Sequence, residues 1–272
     1  MRNGSAQALE AIDLGCAVVR RCAGWAGVLV ITTLPARLLL VLLLWEAWKL
    51  GDQASTRGDA LSTLAWLALV AWLVSLAGRL VFIHACRIAA ESERPAPSVV
   101  LRVPWAWMWA LLRPAILLEL LFWLTLPTVF LAPWWTVAAG MCAVQAPDAG
   151  SGVLAPLRTL LTRTPWLPLL RLGLCFVPAL ALAIFAVIQG AGIAAWAAEA
   201  LPWVQPGTWT TLLTWRDPLF LMLACAGGTL LLEPFWLAAL VALDRQARSR
   251  STGDDLRAWF ASLRAARTGG QP

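Results

Sequence analysis

Four charged side chains stand inside stretches that are otherwise apolar: Arg37, Arg79, Glu119 and Glu233. Each such charge costs ~2.5 kcal/mol or more at the centre of a bilayer unless it is paired or hydrated. Arg37 and Glu233 lie midway along their apolar stretches. Arg79 and Glu119 each lie in the inner third of theirs. Matching depths therefore pair Arg37 with Glu233 and Arg79 with Glu119. Two chemistries are open to such groups. They can be ion pairs that tie helices together, or they can line a polar cavity for a substrate or an ion.

Enzymatic signatures are scarce. The one histidine, His84, falls near the inner end of an apolar stretch, where it reads as a structural or surface group. The chain has no HExxH, GxSxG, GxxxxGKS or GxGxxG pattern. Asp254 and Asp255 are better read as favourable charges in the first turn of a helix than as metal ligands. The six cysteines, Cys16, Cys22, Cys86, Cys142, Cys175 and Cys225, form no CxxC pair and read as small buried apolar residues. The expectation is a protein that is not an enzyme, with no metal, no cofactor and no nucleic-acid partner.

The elements that must position the four charges are membrane helices. Of the 272 residues, 60% are hydrophobic and only 13% charged, and the mean hydropathy is +0.74. A soluble domain carries about a quarter charged residues, so this composition excludes a free soluble enzyme, a disordered chain and a secreted disulfide scaffold. Apolar segments at about 26–47 and 61–84 each reach the ~20 residues needed to cross ~30 Å of hydrocarbon. Residues 97–112, with Trp105, Trp107 and Trp109, read as interfacial. An apolar run from 114 to 146 is broken by Pro127 and Pro133, and further segments cover about 172–195 and 218–243. Pro35, Pro127, Pro178 and Pro234 each remove a helical hydrogen bond and can kink a helix. Gly190, Gly192 and the Gly227-Gly228 pair are candidates for close helix approach.

The 114–146 run is either one kinked helix or a hairpin of two. Basic residues collect on the cytoplasmic side of a membrane protein. A hairpin gives six spans and places sixteen of the Arg and Lys residues inside against three outside. One long helix would give five spans and put eleven outside against eight inside. The hairpin is therefore expected, with both termini cytoplasmic. Trp45, Trp48, Trp134, Trp135, Trp196, Trp203, Trp209 and Trp215 then fall at outer ends, as an aromatic belt would. The 196–217 segment, with Glu199, Pro202 and Pro206, alternatively reads as an outer lid or partner site.

Two flanking segments complete the organisation. In residues 1–24, Leu9, Ile12, Cys16 and Val19 recur at helical spacing, which predicts an amphipathic helix lying on the membrane. The core is 25–245. The tail, 246–272, is basic: Ser251 or Thr252 can cap a helix whose stripe is Leu256, Trp259, Phe260 and Leu263, with Arg257, Arg264 and Arg267 around it. Arg257, Trp259, Phe260 and Arg264 are the candidate contacts with anionic lipids or with a membrane-protein partner.

Three stretches carry a family resemblance. Residues 5–21, SAQALEAIDLGCAVVRR, have a Glu-x-x-Asp pattern at Glu10 and Asp13, and Leu34-Pro35 follows in the next span. Residues 126–163 run from LPTVFLAPWW to APLRTLLTR, with Pro156-Leu157-Arg158-Thr159. Residues 234–256 read PFWLAALVALDRQARSRSTGDDL. Together they resemble the membrane domains found with glycerophosphoryl diester phosphodiesterases and related six-span bacterial membrane proteins. The resemblance implies an amphipathic entry helix, a proline-marked hairpin and a proline-led exit span. It implies no phosphodiesterase activity, because the soluble catalytic domain of that family has no counterpart here.

The fold class expected is all-α, a polytopic bundle of six transmembrane helices with interfacial amphipathic helices, in a bacterial inner membrane. The leading functional expectation is a non-enzymatic scaffold or regulatory component of a membrane complex. The alternative is a small transporter or lipid-handling protein with a polar site near Arg37 and Glu233.

Overall fold

A computed structural model describes residues 4–49, 58–91, 96–101, 105–125, 132–145, 166–199 and 217–253. Every element among them is a helix: α1 (Gly4–Arg21), α2 (Ala23–Lys49), α3 (Gly58–Glu91), α4 (Pro97–Val100), α5 (Trp105–Thr125), α6 (Ala132–Gln145), α7 (Trp166–Glu199) and α8 (Pro218–Thr252). Four of them contain segments long and apolar enough to cross a membrane: Ala23–Lys49, Leu61–Glu91, Trp166–Glu199 and Pro218–Ser249.

The packing is inverted relative to a water-soluble bundle. The segments in α2 and α7 have the highest mean hydropathies, 2.3 and 2.4, yet only 17% and 11% of their apolar windows are buried. The segment in α8 is the least apolar, at 1.6, and the most buried, at 56%. Side chains such as Ile31, Trp66, Leu182 and Trp196 point outward. A monomer in water rarely exposes apolar patches of that extent; hydrocarbon is the solvent that suits them. The chain is a membrane protein, and α8 is its central post. It packs against α1, α2, α3, α6 and α7.

Sequence signals explain the ends of α8. Asp217 is its N-cap, accepting from Leu219 N at 2.9 Å, and Pro218 follows at the first helical position. At the far end Gly253 adopts φ 70 and donates its N–H to Ser249 O, the left-handed stop that glycine permits. Ser251 and Thr252, expected to cap a new helix, are instead the last residues of α8. The other tail candidates, Arg257, Trp259, Phe260 and Arg264, lie outside the described residues.

The 114–146 run is two helices packed on each other, α5 and α6. α5 starts at Trp105, so part of the stretch expected to be interfacial is the first two turns of this helix. Pro114 lies inside α5, and Pro133 occupies the first turn of α6, where its missing N–H costs nothing. α6 has 14 residues, or ~21 Å at 1.5 Å per residue.

α1 packs against α3, α7 and α8 at the Arg-rich end of the bundle. Its buried residues are Ala8, Ala11, Gly15, Val18 and Val19; of the stripe read from sequence, Val19 is buried and Ile12 packs partly against the core, but the face is centred one residue away. Leu9 is 60% exposed. The small residues face the protein because they admit a neighbouring backbone. A Cβ on Gly15 would lie 2.8 Å from Ala239 N and 2.9 Å from Ala239 Cα. Of the other glycines singled out, Gly228 meets the Ile184 backbone in the same way, whereas Gly190 and Gly192 face open space.

Arginines close this end. Arg21 Nη1 donates to Ala89 O at 3.3 Å, and Arg245 Nη1 donates to Ala90 O. Both acceptors belong to the last turn of α3, whose carbonyls have no partner within the helix and carry the negative end of its dipole. Replacement of Gly15 by Leu is expected to push α1 off α8. Overpacking of this kind costs ~1–3 kcal/mol. Thermal melting in detergent should show a lowered Tm, with faster proteolysis before Ala23; an unchanged Tm would contradict the close approach.

Candidate functional site

The sequence charges converge on one place. Arg37 and Glu233 each lie within one residue of the midpoints of Ala23–Lys49 and Pro218–Ser249. Arg79 lies three residues past the midpoint of Leu61–Glu91, ~4.5 Å along the axis. Local sequence sets their approach. Gly78 faces Thr32, and a Cβ there would overlap the threonine hydroxyl, so α2 and α3 come close just beside Arg79. Thr32 in turn donates its hydroxyl to Val28 O and Leu29 O, each at 2.9 Å, and spends its polarity within its own helix.

Glu233 is shared between the two arginines. Arg37 Nη2 donates to Glu233 Oε2, and Arg79 Nε donates to Oε1 at 2.6 Å. Arg37 Nη1 also donates to Thr229 Oγ1 and, at 3.1 Å, to Ala226 O. Thr229 donates its own hydroxyl to Ala226 O at 2.9 Å. The side chains of Glu233, Arg37 and Arg79 are 7%, 18% and 30% exposed, so the carboxylate is the innermost group. The structure thus joins Arg37 to Glu233, as their depths implied. Arg79 bonds the same carboxylate rather than Glu119. Glu119 contributes to the electrostatic field at Arg79 and lines the same cavity.

Prolines flank the charges. Pro35 and Pro234 lie within α2 and α8, two residues from Arg37 and next to Glu233. Each removes one backbone N–H at this depth.

The four charges open onto a cavity of about 350 Å³. Six helices, α2, α3, α5, α6, α7 and α8, contribute to its walls, which are mostly apolar: Trp72, Leu118, Val137, Phe176, Leu180 and Trp236 among them. Phe176 and Trp236 meet edge to face with ring centroids 4.6 Å apart. The volume sits at the lower end of the ~300–1,000 Å³ typical of small-molecule pockets, and apolar walls with a few convergent polar groups are their usual build.

The remaining sequence candidates lie elsewhere. His84 packs edge to face with Trp107, centroids 5.3 Å apart. All six cysteines are free thiols, with Cys175 and Cys225 exposed. Among the described residues no cluster of His, Cys, Asp or Glu has the makings of a metal site. Most of the 196–217 segment lies outside the described residues. Sequence reading assigned nothing to Asp244 or Gln145. Both are buried; Gln145 Nε2 reaches Asp244 Oδ1 at 3.4 Å, and Arg248 pairs with Asp244 Oδ2 at 2.6 Å. The available signal was an acid set between an apolar run and an arginine run.

Removing one member of a buried pair leaves an uncompensated charge and costs ~3–5 kcal/mol, whereas an exposed pair contributes ~0–1 kcal/mol. Glu233→Gln is therefore expected to lower the Tm in detergent far more than Glu46→Gln, which breaks the surface pair with Lys49 at 3.6 Å. Equal effects would show that the shared carboxylate does not hold the bundle. No family model, curated protein or solved structure matches the chain, so the chemistry of the site rests on its own residues.

Proposed function

We propose that the protein is a non-enzymatic, lipid-handling or small transport protein that holds an amphiphilic small molecule in the cavity beside Arg37, Arg79 and Glu233. The observation that carries this reading is a 350 Å³ pocket with both apolar walls and charged groups, placed at mid-helix depth. A charge kept only for structure needs its partner, not an adjoining space. The scaffold reading rested on the basic tail, and residues 254–272 lie outside the described ones; the cavity favours the alternative.

The setting belongs to the same proposal: six crossings, with α5 and α6 as a hairpin, both termini cytoplasmic, in a bacterial inner membrane. The distribution of arginine supports it. Kinship with the membrane domains that accompany glycerophosphoryl diester phosphodiesterases is likewise a proposal, resting on the three stretches that resemble them. Reporter fusions at the two termini are expected to show the same, cytoplasmic side; opposite sides would remove the hairpin.

Native mass spectrometry of the full chain from mild detergent tests the function. The expected result is one retained amphiphile per chain. Val177 lines the cavity yet is 59% exposed, so Val177→Trp can fill the space without disturbing the charges. That variant should keep its Tm and lose the bound molecule. An empty wild-type protein, or a variant that retains its ligand, would overturn the reading.

A further inference from the structure

We propose that the occupant carries an anionic headgroup, phosphate or carboxylate, seated on Arg79, with its chain along the apolar wall. This deepens the reading of the cavity as a binding site and rests on it.

The argument begins with hydrogen-bond capacity. A guanidinium has five N–H donors in a planar fork, and its terminal edge grips carboxylates and phosphates with two parallel bonds. Arg37 is heavily committed, donating hydrogen bonds to Glu233, Thr229 and Ala226. Arg79 is not. Among the described residues it donates through Nε to Glu233, and its Nη nitrogens make no hydrogen bond. It is also the most accessible of the three charges, and it lines the cavity.

The acids in the wall do not offer an equivalent seat for a cation. Both oxygens of Glu233 are taken by arginines, and Glu119 has an interaction of its own. The under-used group is therefore cationic. In surroundings of low dielectric an unfilled donor edge is costly, and an anion satisfies it in charge and in geometry. Besides the indole N–H groups of Trp72 and Trp236, which are donors and offer a cation nothing, the wall's other polar side chain is Thr229, and it is occupied by Arg37 and Ala226. The rest of the wall is apolar, with Leu118, Val137, Phe176 and Leu180 suited to hydrocarbon. A volume of about 350 Å³ holds a headgroup and the start of one chain, since liquid water alone takes ~30 Å³ per molecule. A whole two-chain lipid does not fit, so the rest of a longer chain passes out between helices.

The test uses the full chain in a neutral maltoside detergent and four probes: dodecyl phosphate, dodecylphosphocholine, dodecyltrimethylammonium and inorganic phosphate. Binding is read by native mass spectrometry and thermal shift. Dodecyl phosphate is expected to bind at least tenfold more tightly than either other amphiphile and a hundredfold more tightly than inorganic phosphate. Arg79→Gln should erase the preference among headgroups, and Arg79→Lys should keep part of it. The wild-type probe series decides the matter even if Arg79→Gln does not fold. Preference for the cationic or zwitterionic probe overturns the anionic assignment, as does a preference unchanged in Arg79→Gln. Inorganic phosphate binding as tightly as dodecyl phosphate overturns the amphiphile. In all three cases the cavity stands as a binding site if Val177→Trp blocks the probe that binds. Probe binding that Val177→Trp leaves untouched removes the cavity reading and this inference together.

Discussion

One carboxylate, Glu233, serves two guanidiniums in the middle of an apolar bundle, and the arrangement of helices follows from that constraint. Surrounding hydrocarbon stabilises none of the three charges, so they must stabilise one another. Glu233 comes from α8, Arg37 from α2 and Arg79 from α3, so pairing fixes the depth of each helix relative to the others and its rotation about its own axis. Apolar contacts alone would do neither, because lipid tails are as apolar as leucine and dispersion contacts tolerate sliding.

The rest of the bundle accommodates this core. α8 carries the shared acid and is the least apolar and most enclosed of the four long helices. It meets its neighbours through small residues. Gly15 of α1 sits on the backbone at Ala239, and Gly228 sits on the backbone at Ile184 of α7. At the Arg-rich end Arg21 and Arg245 cap the last carbonyls of α3, and Asp244 holds Arg248 and Gln145. Packing is thus tight at that end and around Glu233, while the cavity occupies the space between α5, α6 and α7 on one side and the charged trio on the other.

Much of this could be read from residue types alone. Charges inside apolar runs announced the site, and depth arithmetic found Arg37 and Glu233. The membrane class followed from 60% hydrophobic residues with 13% charged. Depth could not, however, separate Glu119 from Glu233 as the acceptor for Arg79, because azimuth around a helix depends on tertiary packing. The face of α1 was read one residue off for a related reason, with Val19 buried and Leu9 exposed. Sequence periodicity favours large apolar residues, whereas Ala8, Ala11 and Gly15 are buried because they are small enough for a backbone to approach. The cavity itself left no trace in sequence, since it is made by six helices that contribute a few residues each.

The most direct measurement is a comparison of Tm in detergent between Glu233→Gln and the triple variant Arg37→Met, Arg79→Met, Glu233→Leu. If one carboxylate neutralises two buried guanidiniums, the single variant strands both charges, while the triple variant removes the whole network and replaces it with apolar volume. The account predicts a lower Tm for the single variant than for the triple. A triple variant less stable than Glu233→Gln would contradict it.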